Sequence, residues 1–316
     1  MTPEGFEAWA ETSRAGFVEQ QVAAGLMLEA EAAEYAERSF GDLFPEGRGT
    51  PGQHVWTVHD GDTVVGHLWI RITLQSDGLD AFLFEVALFP EARGRGLGRA
   101  TMLAAESQAR EMGATRMRLN VFGHNTVARG LYRSLGYQVT STNMVRRLDT
   151  TSPMTYDGGP TVSLEPMTQP QFDTYLAAAE NHYAASIADS GMLPRDEARQ
   201  KSVDDFARLL PKGLQTHEHF LWTARQGDGD REVGMVWLNI AAKSDGPHAF
   251  GYDFSVREEL RRHGYGRSIM VAAEQICRDR GVVSVGLNVF GFNLGAQSLY
   301  EQMGFEVSAQ LLKKQL

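Results

Sequence analysis

The sequence predicts an α+β fold laid out twice: two tandem domains, each a mixed and mostly antiparallel sheet flanked by helices, the first lacking the initial strand. Three observations predict it. The pattern Leu119-Asn120-Val121-Phe122-Gly123, followed by Asn125, recurs 168 residues later as Leu287-Asn288-Val289-Phe290-Gly291, followed by Asn293. The same offset pairs Arg93 with Arg261, Gly96 with Gly264, Gly98 with Gly266, Tyr132 with Tyr300 and Gly136 with Gly304. Upstream the offset becomes 166, pairing Phe40 with Phe206 and Trp56 with Trp222. A period of this length far exceeds that of solenoid repeats, so each copy builds a core of its own.

The elements follow in order. Residues 6–24 and 29–40 carry helix formers with apolar residues at helical spacing, and their counterparts are 171–190 and 194–210. Residues 54–59, 63–74 and 82–88 are rich in Val, Ile, Leu, Phe and Trp and are broken by Asp60-Gly61 and Asp77-Gly78, which predicts an antiparallel meander. A helix over 96–111 stops at Gly113. Residues 116–122 then predict a strand, 126–135 a helix closed by Gly136, and 137–147 two final strands. The second copy repeats this order from 220 to 316. Before it, 161–165 alternate as a strand, whereas Met167 aligns with Met1, so the first copy has no equivalent. Either other chain fills that place or a sheet edge stays open. The domains are 1–150 and 161–316, joined by a linker at 151–160 whose Pro and Gly residues read as loop.

Composition narrows the function. A length of 316 residues with 42% hydrophobic and 22% charged residues suits two globular domains. The single cysteine, Cys277, excludes an intrachain disulfide framework and reads as an apolar filler on a helix. Neither a leader pattern at the N-terminus nor a stretch of ~20 apolar residues occurs, which predicts a cytoplasmic protein without a membrane partner. A net charge of −10 argues against nucleic acid and weakly favours a cationic ligand. His217-Glu218-His219 has no convincing third ligand, so no metal is expected.

The stretch 84–98 carries the chemistry: an apolar strand, a turn holding Arg93, Gly94, Arg95, Gly96 and Gly98, and a helix start. Such a junction presents unpaired N–H groups and a positive dipole end to phosphate oxygens. The second copy offers Arg261, Arg262, His263, Gly264 and Gly266 in the same place. Glu85 and Asp253 lie eight residues before Arg93 and Arg261, each a carboxylate on an apolar strand, and read as cleft-facing bases.

The two loops, with Asn125, Leu131-Tyr132 and Gly136-Tyr137 and their second occurrence at Asn293, Leu299-Tyr300 and Gly304-Phe305, resemble the Gcn5-related N-acetyltransferase (GNAT) superfamily over essentially the whole chain. The resemblance implies a tandem bacterial-type N-acetyltransferase with acetyl-CoA in a V-shaped opening between two splayed parallel strands, one ending near Leu88 and one near Phe122. It places the pantetheine arm on the backbone at Leu88 or Val256 and the pyrophosphate on the loops 93–98 and 261–266. Asn125 and Tyr132, or Asn293 and Tyr300, would line the thioester end, with each tyrosine protonating the departing thiolate. Transfer would be direct, to a primary amine of a small molecule or peptide. Acetylation of protein lysines or N-termini, and an acyl-CoA sensor without transfer, remain alternatives, as do a monomer and a homodimer.

Overall fold

A computed structural model describes residues 1–148, 158–227, 229 and 231–316. The expected linker therefore lies outside the described residues up to 157.

The first repeat contains α1 (Pro3–Ala23), α2 (Glu29–Leu43), β1 (Gln53–Asp60), β2 (Thr63–Gln75), β3 (Gly78–Leu88), α3 (Leu97–Glu111), β4 (Ala114–Phe122), α4 (Thr126–Ser134) and β5 (Gln138–Arg147). The second opens with β6 (Val162–Pro166). It continues through α5 (Gln169–Asp189), α6 (Arg195–Leu209), β7 (His219–Gln226), β8 (Glu232–Lys243), β9 (Gly246–Val256), α7 (Tyr265–Asp279), β10 (Ser284–Phe290), α8 (Leu294–Gln302) and β11 (Glu306–Gln315). Each repeat ends in one strand where two were expected. Neither Gln138–Arg147 nor Glu306–Gln315 contains a Gly or Pro to fold the chain back, so each runs straight through.

The compact units do not coincide with the repeats. One comprises Met1–Thr140 with Val307–Leu316, the other Ser141–Glu306. In the first unit β1, β2 and β3 are antiparallel neighbours, β4 lies parallel to β3, and β11 runs antiparallel to β4. In the second, β6, β7, β8 and β9 are antiparallel, β10 lies parallel to β9, and β5 runs antiparallel to β10. Each unit thus takes its last strand from the other repeat. Equivalent ion pairs fix the exchange: Lys314 of β11 reaches Glu106 of α3 at 2.7 Å, and Arg146 of β5 reaches Glu274 of α7 at 2.6 Å.

Alternation along β2 shows how the first sheet is covered. Leu68 and Ile70 face a core with Met102 and Ala105 of α3, Tyr132 of α4 and Leu135 at its C-cap. Trp69, between them, faces Phe6 and Trp9 of α1 and Phe40 of α2. The Trp9–Trp69 rings meet edge to face at 5.4 Å, a geometry worth about 1 kcal/mol beyond area burial. In the second unit Trp237, Phe172, Ala179 and Phe206 form the matching α5/α6 core. β6 covers the outer edge of β7, whereas β1 pairs with β2 alone among the described strands, so the first sheet keeps an open edge. No described helix is long and apolar enough to cross a membrane.

Candidate active site

Two parallel strands separate in each unit. The β3–β4 ladder ends at Leu83–Leu119, leaving β3 unpaired on that side from Phe84 to Leu88. The β9–β10 ladder ends at Gly251–Leu287. A β-bulge marks both points of departure. Opposite β2, Trp69 pairs with Glu85 but Ile70 with Leu83, so Phe84 is the extra residue. Opposite β8, Trp237 pairs with Asp253 and Leu238 with Gly251, which makes Tyr252 extra. A bulge bends its strand and re-aims side chains, here onto the α1/α2 or α5/α6 face.

The re-aimed carboxylates are held from those helices. Trp9 Nε1 and Ser13 Oγ donate to Glu85 at 2.7 and 3.1 Å. Burial raises the Glu85 pKa, opposed by those two hydrogen bonds. The Tyr175 hydroxyl donates to Asp253 at 2.9 Å. Burial raises Asp253 likewise, against the hydrogen bonds from Tyr175 and the Phe254 N–H and the charge of His182. Sequence reasoning passed over Trp9, Ser13 and Tyr175. The repeat held a signal, since Trp9 and Tyr175 correspond at the upstream offset of 166.

Beyond Leu88 the chain makes a short turn at 90–92 and enters α3 through Gly96, the N-cap, at φ 80°. The main-chain N–H groups of Gly94, Arg95, Gly96, Leu97 and Gly98 donate to no protein acceptor among the described residues, and those of Arg262, His263, Gly264, Tyr265 and Gly266 repeat the arrangement. This is an anion-binding concavity at a helix N-terminus. Arg93 Nε donates to the Leu88 carbonyl at 3.0 Å and Arg261 Nε to the Val256 carbonyl at 3.4 Å, so each tethers its loop to the strand end. Arg95 pairs with Asp60 at 2.8 Å, and His263 Nδ1 donates to the Arg261 carbonyl at 2.8 Å.

Tyr132 and Tyr300 lie buried on α4 and α8, against Tyr137 and Phe305 at 5.7 and 5.8 Å between ring centres. Burial pushes the Tyr132 pKa up to about 12 and raises that of Tyr300 as well. Neither hydroxyl has a hydrogen-bond partner among the described residues. Asn125 and Asn293 cap the same two helices, accepting from the Ala128 and Ala296 N–H groups at 3.0 and 3.2 Å. Burial pushes the Cys277 thiol up to about 12, which removes it as a nucleophile near neutral pH.

A turn lined by unpaired N–H groups beside a splayed parallel pair occurs twice, and the sequence model of the Acetyltransferase (GNAT) family matches residues 22–137 and 187–305, covering both occurrences. The chain belongs to the GNAT acetyltransferase family. Its relatives include the uncharacterized N-acetyltransferase YycN of Bacillus subtilis, 34% identical over 156 residues, which are 49% of this chain and 99% of YycN. A mycothiol acetyltransferase of Acidothermus cellulolyticus is 25% identical over 266 residues, 79% of this chain and 75% of that protein. Among solved structures, a GCN5-related N-acetyltransferase from Sphaerobacter thermophilus covers 93% of this chain and 89% of its own at a TM-score of 0.51 and 19% identity, which shows a shared fold. This tandem GNAT protein is an N-acetyltransferase with acetyl-CoA as cosubstrate. Among its described residues no group of three or more His, Cys, Asp or Glu side chains is placed to hold a metal ion.

Proposed function

We propose that each half of this GNAT enzyme binds acetyl-CoA at its own splay and transfers the acetyl group directly to a primary amine of a small molecule or peptide. The observation that carries this reading is the repeated conjunction of an N–H-lined loop, an opened parallel ladder and a buried carboxylate at the bulge. The pyrophosphate sits on the loops 93–98 and 261–266. The unpaired edge from Phe84 to Leu88, and its counterpart at 252–256, takes the pantetheine amides.

Glu85 or Asp253 accepts a proton from the incoming ammonium, directly or through water, so that a neutral nitrogen attacks the thioester carbonyl. As the C–N bond forms the C–S bond breaks, and the second nitrogen proton leaves through solvent, which restores the tyrosine hydroxyl after it has protonated the sulfur. The Tyr132 or Tyr300 hydroxyl donates its proton to the leaving sulfur, and the absence of a partner for either hydroxyl among the described residues supports this role. Burial keeps both tyrosines protonated near neutral pH, as an acid must be.

Calorimetric titration with acetyl-CoA on the wild type and on Gly96→Glu and Gly264→Glu tests the reading, paired with release of free CoA on an amine panel. Two sites, each abolished by its own substitution, and amine-dependent CoA release are expected. No binding at either loop would overturn the proposal. Binding without release on any amine would favour an acyl-CoA sensor.

A further inference from the structure

The α1/α2 face of the first unit carries a cation that the transfer mechanism leaves unused. Arg71 lies on β2 two residues beyond Trp69, so alternation turns it to the same face as the Glu85 bulge. Its guanidinium carbon is 6.0 Å from the centre of the Phe84 ring. Phe84, the bulge residue, is 36% exposed and stacks on Trp69 at 4.3 Å. Glu85 is the next residue along the chain.

Arg71 Nε is buried without a hydrogen-bond partner, and the guanidinium makes no ion pair among the described residues. The carboxylates nearby on β3 and its leading turn are already engaged: Asp80 by Arg116 and Arg118, Asp77 by Arg116. A buried charged donor left unpaired is costly, and a guanidinium fork matches a carboxylate better than any other common partner. The second unit lacks the feature. Asn239 stands at the Arg71 position and donates to the Glu218 carbonyl at 3.2 Å, and Tyr252 stands in for Phe84.

We infer that Arg71 determines the specificity of the first acceptor site, which takes an amine that also bears a carboxylate. The amine lies at Glu85, the connecting chain crosses the exposed face of Phe84, and the carboxylate meets the Arg71 fork. A net charge of −10 over the whole chain disfavours anionic ligands in general, so a local cation is what would admit one. The inference rests on the reading of Glu85 as the amine-side group of the site.

The test uses the full-length chain carrying Gly264→Glu, so that only the first loop is open. Loaded with CoA, it is titrated with a graded series of N-acetylated unbranched ω-amino acids and their carboxamides. The free acid of the best-fitting length is expected to bind at least about tenfold tighter than its carboxamide. Arg71→Gln erases that preference, with the affinity for CoA reporting an intact fold, while Arg71→Lys keeps part of it. Equal binding of acid and carboxamide, binding of neither, or a preference that survives Arg71→Gln would overturn the inference. CoA release with the parent ω-amino acids separates this from the underlying reading. An Arg71-dependent acid preference with no acetyl transfer would leave the site standing and the transfer reading fallen.

Discussion

Glu85 and Asp253 are ionisable groups that burial disfavours in their charged forms, and a base is useful only when charged. The acidic limb of kcat/KM for the first half should therefore fall above the ordinary glutamate value of 4.5, measured with Gly264→Glu silencing the other half. The same burial affects stability. A carboxyl whose pKa rises on folding contributes stability below its unfolded value and loses it as pH climbs through the folded one. Asp253→Asn removes that penalty, and the amide oxygen can still accept from Tyr175. The variant should melt a few degrees higher at neutral pH, with the gain fading towards pH 3.8, while the second half loses transfer. A thermal melt at both pH values, run beside the activity assay, reads both consequences. Tyr132 offers the converse case, because its hydroxyl bonds to no described residue. Tyr132→Phe should lower kcat of the first half about 100-fold while leaving the melting temperature nearly unchanged. Glu85 was legible in the sequence because a carboxylate on an apolar strand stands out against its neighbours. Its partners Trp9 and Ser13 were not, because they sit more than 70 residues away on a helix whose own pattern explains them as core.

At the scale of elements, the loops 93–98 and 261–266 are copies with one difference in backbone chemistry. Gly94 takes a left-handed conformation at φ 74°, and its counterpart Arg262 takes the same conformation at φ 64° with a side chain attached. An L-residue there costs about 1–2 kcal/mol. Arg262→Gly should therefore stabilise the second unit by about 1 kcal/mol in a denaturation curve and weaken acetyl-CoA binding at that loop, since the proposed pyrophosphate site loses a guanidinium. Stability and affinity moving in opposite directions would identify the strain as retained for binding. A variant that lost both would mean that Arg262 serves the fold. The loops, helix starts and meander could be read from Gly, Pro and periodicity, which are local signals. The bulges at Phe84 and Tyr252 could not, because a bulge exists only in the pairing between strands, and nothing in Phe84-Glu85 alone marks the slip of register against Trp69 and Ile70.

For the whole molecule, the repeat in the sequence conceals which sheet each last strand joins. Gln138–Arg147 and Glu306–Gln315 are equivalent and both carry a cationic pair towards the end, Arg146-Arg147 and Lys313-Lys314, so either pattern satisfies either sheet. Contacts made only after folding decide the matter. Lys314 is the partner in β11 of Glu106, a carboxylate almost fully buried on α3 whose other cation, Arg110, stands at 3.7 Å, and breaking so buried a pair costs about 3–5 kcal/mol at most. Lys314→Met should therefore destabilise the first unit by that order, although the residue lies at the far end of the other repeat. Gly123 imposes a second constraint: a methyl group there would come within 1.7 Å of the Val307 carbonyl of the incoming strand. A protease site placed within 149–157 tests the exchange directly. Two linear domains would part after cleavage, whereas units that each own a strand of the other fragment should co-elute in native buffer. They should separate only in denaturant, with loss of acetyl-CoA binding at the first loop, because the 1–148 fragment alone leaves β4 without the antiparallel neighbour that β11 supplies.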